Sequence, residues 1–509
     1  MQKGIPFVEE VVEDTETQAP SSNHVTTPST YHEKVKTNSP ENFCQVLFSL
    51  TKSAATTWIQ SLTSFISYTC LTYFVSLKND PKLIGCLGLG ASIQFVFVTT
   101  FIIALNVGLS TVGSQAYGAG NHKLLGLYYK RAQVVLIMVV IPMVILLLNS
   151  SFFFRIMGIN PELAKSLQEL LICLLPSSFA IGLFDAGKNY LVSQKIFAPQ
   201  SVIQVISIFI DVSFQYIAIV HFDLGFVGIG LARFIDEGGK TLMLNIYIRF
   251  SKQCQCSMVP WSRECFRGLW SQFKDQIAAG GLMILDIFGS QVVIMQTAYL
   301  NEYQQASQVI ATRVMNFCLL FTWSLNNALP AFLGNSMGEQ NEKKVRLYTK
   351  AGLVLDGIIV CLTWIFIGTQ GRRVGEIFST DKNVINYVEG LMGLFMFVTP
   401  ADNLQVILGG ILRSMGRGKS VSRLFMITYY PVSIPLSILL AHKLGYEIYG
   451  LYETILIVKG TNTIVMAIML KKLNIQEEME KVIEKVRLNQ RNVLLSYWLD
   501  LTSEHFNTI

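Results

Sequence analysis

The sequence is short of charge: Asp, Glu, Lys and Arg make up 15% of its 509 residues. A soluble chain carries about 25%, so a water-facing enzyme or binding module of this length is excluded. Histidine is sparse too. The six residues (His24, His32, His122, His221, His442, His505) are scattered outside the apolar runs, which leaves no histidine-ligated metal centre within them. The nine cysteines show no paired spacing, so no disulfide framework is implied. Cys254-Gln255-Cys256 lacks the two further ligands that a zinc site needs, and reads as surface thiols or a lipidation point. Nucleotide loops are missing as well. The segment Arg413-Ser414-Met415-Gly416-Arg417-Gly418-Lys419-Ser420 ends like a phosphate-binding loop but has Arg413 where the first glycine belongs, and Gly118-Ala119-Gly120 meets Lys123 at the third dinucleotide glycine. Residues 1–40 hold Ser, Thr, Pro and acids without an apolar stretch of signal-peptide length. They are expected to form a disordered tail, with the first span serving as insertion signal.

What is abundant is apolar: 51% hydrophobic residues, 32 Phe and 37 Gly, with a mean hydropathy of +0.43. Apolar runs recur near 44–73, 83–112, 126–149, 164–191, 200–220, 226–248, 274–298, 306–333, 347–368, 385–412, 420–441 and 447–470. At about 20 residues per crossing, these predict twelve transmembrane helices in an all-α integral membrane protein. Basic residues crowd the even-numbered connections (Lys123, Lys195, Arg249, Lys252, Arg263, Arg267, Lys343, Lys344, Arg346, Arg413, Arg417, Lys419) and thin out in the odd ones. That bias puts both termini in the cytoplasm. The net charge of +6 is what such loops produce, and it gives no reason to expect nucleic acid. The longest connection, 251–272, carries Trp261, Phe266 and Trp270 among basic residues and should lie along the cytoplasmic interface. After Lys472, the residues Ile475, Met479, Val482, Ile483 and Val486 fall on one helical stripe, predicting a surface helix.

The chain repeats itself. At a constant separation of 220 residues, Gly118 matches Gly338, Asn121 Asn341, Lys123 Lys343, Tyr128 Tyr348 and Lys130 Lys350. The same offset pairs Gly225 with Gly445 and Gly230 with Gly450. An offset of six helices preserves orientation, so the expectation is two six-helix bundles related by a parallel internal repeat, at 41–250 and 273–470, around a shared cavity. A tail of 1–40, a linker of 251–272 and a tail of 471–509 complete the division.

Several segments carry a resemblance. Gln115-Ala116-Tyr117-Gly118-Ala119-Gly120 is similar to a signature of the multidrug and toxic compound extrusion (MATE) family of twelve-helix antiporters. Agreement continues in order with Gly225-Phe226-Val227-Gly228-Ile229-Gly230-Leu231-Ala232, with Asp402-Asn403-Leu404-Gln405 followed by Gly410, with Tyr429-Tyr430 followed by Pro435-Leu436, and with Gly460-Thr461. The resemblance spans about 41–470 and identifies the chain as eukaryotic in type. It implies alternating access, with organic cations or other amphiphiles expelled in exchange for protons or sodium and no cofactor. It also implies coupling acids on spans seven and ten, at Asp286, where the family usually has Glu, and at Asp402. The implied partners are the lipid bilayer and a small organic cation, the implied state a monomer, and the implied site a plasma or organelle membrane. Span one holds no acid, unlike many bacterial members, and span eight ends in Gly338-Glu339-Gln340 where the family has small residues.

A carboxylate at bilayer depth persists only if it is paired, wetted or protonated, which suits a group that exchanges ions; a hydrogen bond to a neighbouring helix is the structural alternative. Gln405 lies one turn beyond Asp402 on the same face and is a candidate cargo contact. Tyr429 offers a ring face to a cation, and Asn326 an amide, with helix packing the competing role for each. Asp185 matches Gln405 through the repeat, so it is expected to face the cavity, with Lys188 three residues on. Asp211 is a candidate second protonation site or partner of Lys188. Arg233, Asp236, Glu237 and Lys240 are spaced to neutralise one another on one helix. Lys459 has no partner in its own span. A lipid-linked saccharide flippase of related architecture is the competing function, and it calls for a basic cavity.

Overall fold

The computed structural model describes residues 42–78, 80–156 and 160–506, and among these all regular structure is helical. The long helices are α1 Phe43–Ser76, α2 Lys82–Gly118, α3 His122–Leu148, α4 Pro161–Ser193, α5 Ala198–His221, α6 Gly225–Phe250, α7 Leu269–Tyr299, α8 Glu302–Gly338, α9 Glu342–Phe378, α10 Lys382–Ser414, α11 Gly418–Lys443, α12 Glu447–Lys472 and α13 Ile475–Phe506. Ten are long and apolar enough to cross a membrane on their own. The other two of the twelve expected spans, α1 and α6, hold the hydroxyl-rich run and the four-charge cluster. A short helix, Ser150–Ile156, between α3 and α4 was not anticipated. Phe209, Ile141, Leu362 and Ile365 are exposed and form part of an apolar outer surface suited to lipid.

The repeat is visible in local chemistry. Asn121 caps α3 by accepting from the Leu124 N–H, and Asn341 caps α9 by accepting from the Lys344 N–H. Gly225 and Gly445 hold φ of +54° and +75° at the entries of α6 and α12, a region that favours glycine. Within the first half, α4 packs most heavily on α6, and α5 joins α1 to α6; within the second, α10 sits centrally among α8, α9 and α12.

The halves meet along α2–α7 and its repeat counterpart α8–α1, with α2 crossing α8 between them. In the α2–α7 seam, a Cβ on Gly280 would fall 1.7 Å from the Ala104 carbonyl oxygen, so only glycine permits the approach. In the α1–α8 seam, the Thr57 hydroxyl donates to the Ser324 carbonyl at 2.9 Å, and Trp58 stacks on Phe321. At the α2–α8 crossing, Gly118 abuts the Asn335 backbone and Gly338 that of Gln115, again 220 residues apart. Gln115 donates to the Ser414 carbonyl and Asn335 to that of Ser193, both at 2.9 Å, tying each half to the other. Over this end lies α13, its Ile475, Met479 and Val482 packed with Met337 and Met415 and its Val486 with Leu124 and Tyr128. Lys485 pairs with Asp275 at 2.8 Å, and Arg417 with Glu478 at 2.7 Å.

Candidate functional site

The second half contains a narrow cleft, lined by Leu282, Met283, Asp286 and Ile287 of α7, Trp323 and Asn326 of α8, Gln405, Val406 and Arg413 of α10, and Phe425 of α11. Glycines make it possible. A Cβ on Gly289 would lie 2.4 Å from the Tyr429 Cβ, so α7 lets α11 bring Tyr429 inward. A Cβ on Gly410 would lie 2.1 Å from Asn326 Oδ1, so α10 leaves room for that amide. The chain around Tyr429 widens into a π-type turn over Thr428–Val432, which contains Pro431 and re-aims the ring relative to a regular helix.

Four helices converge on Asp286. The Tyr429 hydroxyl donates to its Oδ1 in a short hydrogen bond, and Gln405 Nε2 donates both to that oxygen and to Tyr429 Oη at 3.0 Å. Gln405 Oε1 in turn accepts from Asn462 Nδ2 of α12 at 3.1 Å, which fixes the amide's orientation. Lys459, one turn before Asn462, places its ammonium 2.5 Å from Asp402 Oδ1 and 3.9 Å from Asp286 Oδ1. Only donors face Asp286 Oδ1, the pattern of an acceptor carboxylate.

The two acids are therefore not equivalent. The Asp286 side chain keeps 17% of its surface exposed and lines the cleft, whereas that of Asp402 keeps 4% and is closed off by Lys459. Of the two acids, one is open to the cleft and the other is held in a buried ion pair. Asp185 departs from expectation. It pairs with Lys188 within α4 and does not line the cleft, although its repeat partner Gln405 does. Asp211 is not joined to Lys188; it accepts from Ser67 of α1 and from Gln215 at 2.8 Å. The α6 cluster pairs internally: Lys240 lies 2.8 Å from both Asp236 and Glu237, and Arg233 lies 3.5 and 3.3 Å from them. Among the described residues no group of three or more His, Cys, Asp and Glu could hold a metal ion.

The sequence reading missed two residues that line the cleft, Trp323 and Arg413, and one that supports Gln405, Asn462. Asn462 was overlooked, although its place one turn from Lys459 signals a shared face. Trp323 carried no signal beyond composition. Arg413 was expected in a basic cytoplasmic connection, as part of a failed phosphate loop, but it lies within α10, buried, and lines the cleft. Pro330 has no N–H, so the Asn326 carbonyl one turn earlier loses its helical donor. Arg413 Nη2 supplies one at 3.2 Å, Nη1 reaches Met283 Sδ at 3.9 Å, and Nε has no partner.

Comparison with known proteins agrees with this geometry. The MatE family model matches residues 57–217 and 279–439, one match in each half. An uncharacterized transporter of Schizosaccharomyces pombe is 25% identical over 80% of this chain and 79% of its own. Multidrug and toxin extrusion protein 1 of Danio rerio is 22% identical over 82% and 71%. The crystal structure of the eukaryotic MATE transporter AtDTX14 superposes with a TM-score of 0.82 at 20% identity, covering 87% of this chain and 99% of that one, and shows the shared fold. The chain thus belongs to the MatE family, and is a multi-pass membrane transporter rather than an enzyme.

Proposed function

We propose that the protein is a secondary active antiporter that expels organic cations or related amphiphiles in exchange for protons, with Asp286 as the acid that the coupling ion and the cargo share. The observation that carries this reading is the cleft-facing carboxylate of Asp286, ringed by Tyr429, Gln405 and Lys459. With both termini and α13 in the cytoplasm, the α2–α8 crossing closes the cytoplasmic end. Cargo on the cleft side meets Asp286 as its counter-charge, with Tyr429, Gln405 and Asn326 supplying ring and amide contacts. A proton arriving on Asp286 removes that counter-charge and the acceptor for Tyr429 and Gln405, and the cation leaves. Asp402 acts through Lys459, holding its ammonium away from Asp286.

The flippase alternative calls for a basic excess. Asp286 and Asp402 here match Lys459 and Arg413 in number, which does not favour it.

The test is transport in proteoliposomes of the purified full chain, with imposed proton or sodium gradients and tetraethylammonium as cargo. Asp286→Asn should lose gradient-driven export, while Asp286→Glu should retain part of it. Export by Asp286→Asn at the wild-type rate would overturn the assignment, and drive by sodium alone would replace the proton.

A further inference from the structure

Lys459 is the unusual member of the centre. A buried ammonium at bilayer depth costs several kcal/mol unless it is paired, yet α12 places one between the two acids that the transport scheme needs. Asp402 answers Lys459, which leaves Asp286 as the carboxylate of the three that lines the cleft. The next charged group on the cleft is Arg413, whose Nη1 touches Met283, one helical turn before Asp286. No carboxylate lies within ion-pair distance of Arg413 among the described residues, so its charge adds to that of Lys459 in opposing positive cargo. Asp356 of α9 is buried as well, but it accepts from Thr322 of α8 and does not line the cleft. Among the residues that line the cleft, Asp286 is therefore the one carboxylate that a cation can pair with, and Lys459 and Arg413 both oppose a second positive charge.

We propose that Lys459 is a built-in counter-cation that restricts this cleft to cargo carrying a single positive charge. It is a specificity-determining residue acting through Asp402 and Asp286. The inference rests on the antiporter reading above and adds the charge class of its cargo. Two opposing effects set the outcome. In the wild type, Asp402 holds the ammonium at 2.5 Å and leaves it 3.9 Å from Asp286. If Asp402 loses its charge, Asp286 becomes the only carboxylate in reach, and the ammonium occupies the place of the cargo. If both charges of the Asp402–Lys459 pair are removed, Asp286 is free again and the net charge returns to its wild-type value.

The experiment measures binding of tetraethylammonium, a monocation, and methyl viologen, a dication, by calorimetry on the purified full chain, alongside proton-driven export of both in proteoliposomes. The wild type should bind tetraethylammonium at least about tenfold more tightly than methyl viologen, equivalent to about 1.4 kcal/mol. Asp402→Asn should weaken tetraethylammonium by about tenfold or more, and Asp402→Asn combined with Lys459→Met should restore it. Two merely disruptive core changes would instead add. Lys459→Met alone, where it folds, should shift preference toward methyl viologen, and Lys459→Arg should keep the wild-type order. A double variant no better than Asp402→Asn, or a wild type that binds the dication as well as the monocation, overturns the proposal while leaving proton-driven export intact. Absence of proton-driven export of either compound by the wild type would instead defeat the antiporter reading beneath it.

Discussion

The two halves share a backbone plan but handle buried charge in opposite ways. In the first, charges cancel inside one helix: Asp185 with Lys188 on α4, and Arg233 and Lys240 with Asp236 and Glu237 on α6. In the second, cancellation runs between helices, Lys459 of α12 reaching Asp402 of α10 and approaching Asp286 of α7. A pair three or four residues apart moves as one body with its helix and survives any rearrangement between helices. A pair split between helices is broken or remade when those helices shift, so charge there is tied to conformation. The first half is built to keep the ion pairs of α4 and α6 unchanged when helices shift, although Asp211 of α5 relies on Ser67 of α1, and the second is built so that its ion pairs can change partners.

The sharpest way to break this contrast is Lys459→Met. Asp402 would be left buried without its cation, at a cost of about 3–5 kcal/mol, read as a fall in thermal unfolding temperature in detergent. Adding Asp402→Asn should recover most of it, because the charge that Lys459→Met leaves unpaired is removed with it. If Lys459→Met unfolds at the wild-type temperature, the inter-helix pair does not hold the second half together. In the first half, Arg233→Met should cost less, about 1.5–3 kcal/mol. Lys240 still contacts both Asp236 and Glu237, so neither acid loses every partner. Equal costs for Arg233→Met and Lys459→Met would erase the distinction.

The seams between the halves allow a second comparison. Gly280→Ala puts a methyl into the Ala104 carbonyl and should cost about 1–3 kcal/mol through forced separation of α2 and α7. Thr57→Ala, on the repeat-related seam, removes one hydroxyl donor and should cost about 0.5–1.5 kcal/mol. The order matters more than either value. A tolerant Gly280 would mean that the α2–α7 seam gives easily and that the close approach is not what joins the halves there.

These contrasts also separate what the sequence made legible from what it did not. Twelve spans and the 220-residue repeat could be read because period and length are local properties of the chain. The α6 ion pairs could be read for the same reason, since spacing alone brings the partners together. Lys459 could be recognised as lacking a local partner, but its pairing with Asp402 depends on how α10 and α12 pack, 57 residues apart. The repeat does not carry charge across at Asp185. Its pair with Lys188 could be read from their spacing, but Lys188 has no charged counterpart in the second half, where Leu408 stands, and Gln405 is bonded to other helices instead.

The smallest expected effect concerns the connection between the halves. Cys254 and Cys256 are two residues apart there, yet Cys254 is buried among first-half residues including Leu244, Ile248 and Tyr190, while Cys256 is exposed. Burial pushes the Cys254 thiol above its ordinary range. At neutral pH it therefore holds less of the reactive thiolate than a free cysteine, and that fraction grows only as pH rises. Two barriers, access and ionisation, thus act in the same direction on Cys254, whereas Cys256 is exposed. A membrane-impermeant maleimide should label Cys256 at least about tenfold faster than Cys254, read by mass spectrometry of the 251–268 peptides in inside-out and right-side-out vesicles. Labelling only in inside-out vesicles places the connection in the cytoplasm with α13. Equal labelling of the two thiols would mean that the connection is not docked on the first half, and that the halves are joined by a free tether rather than by a segment belonging to one of them.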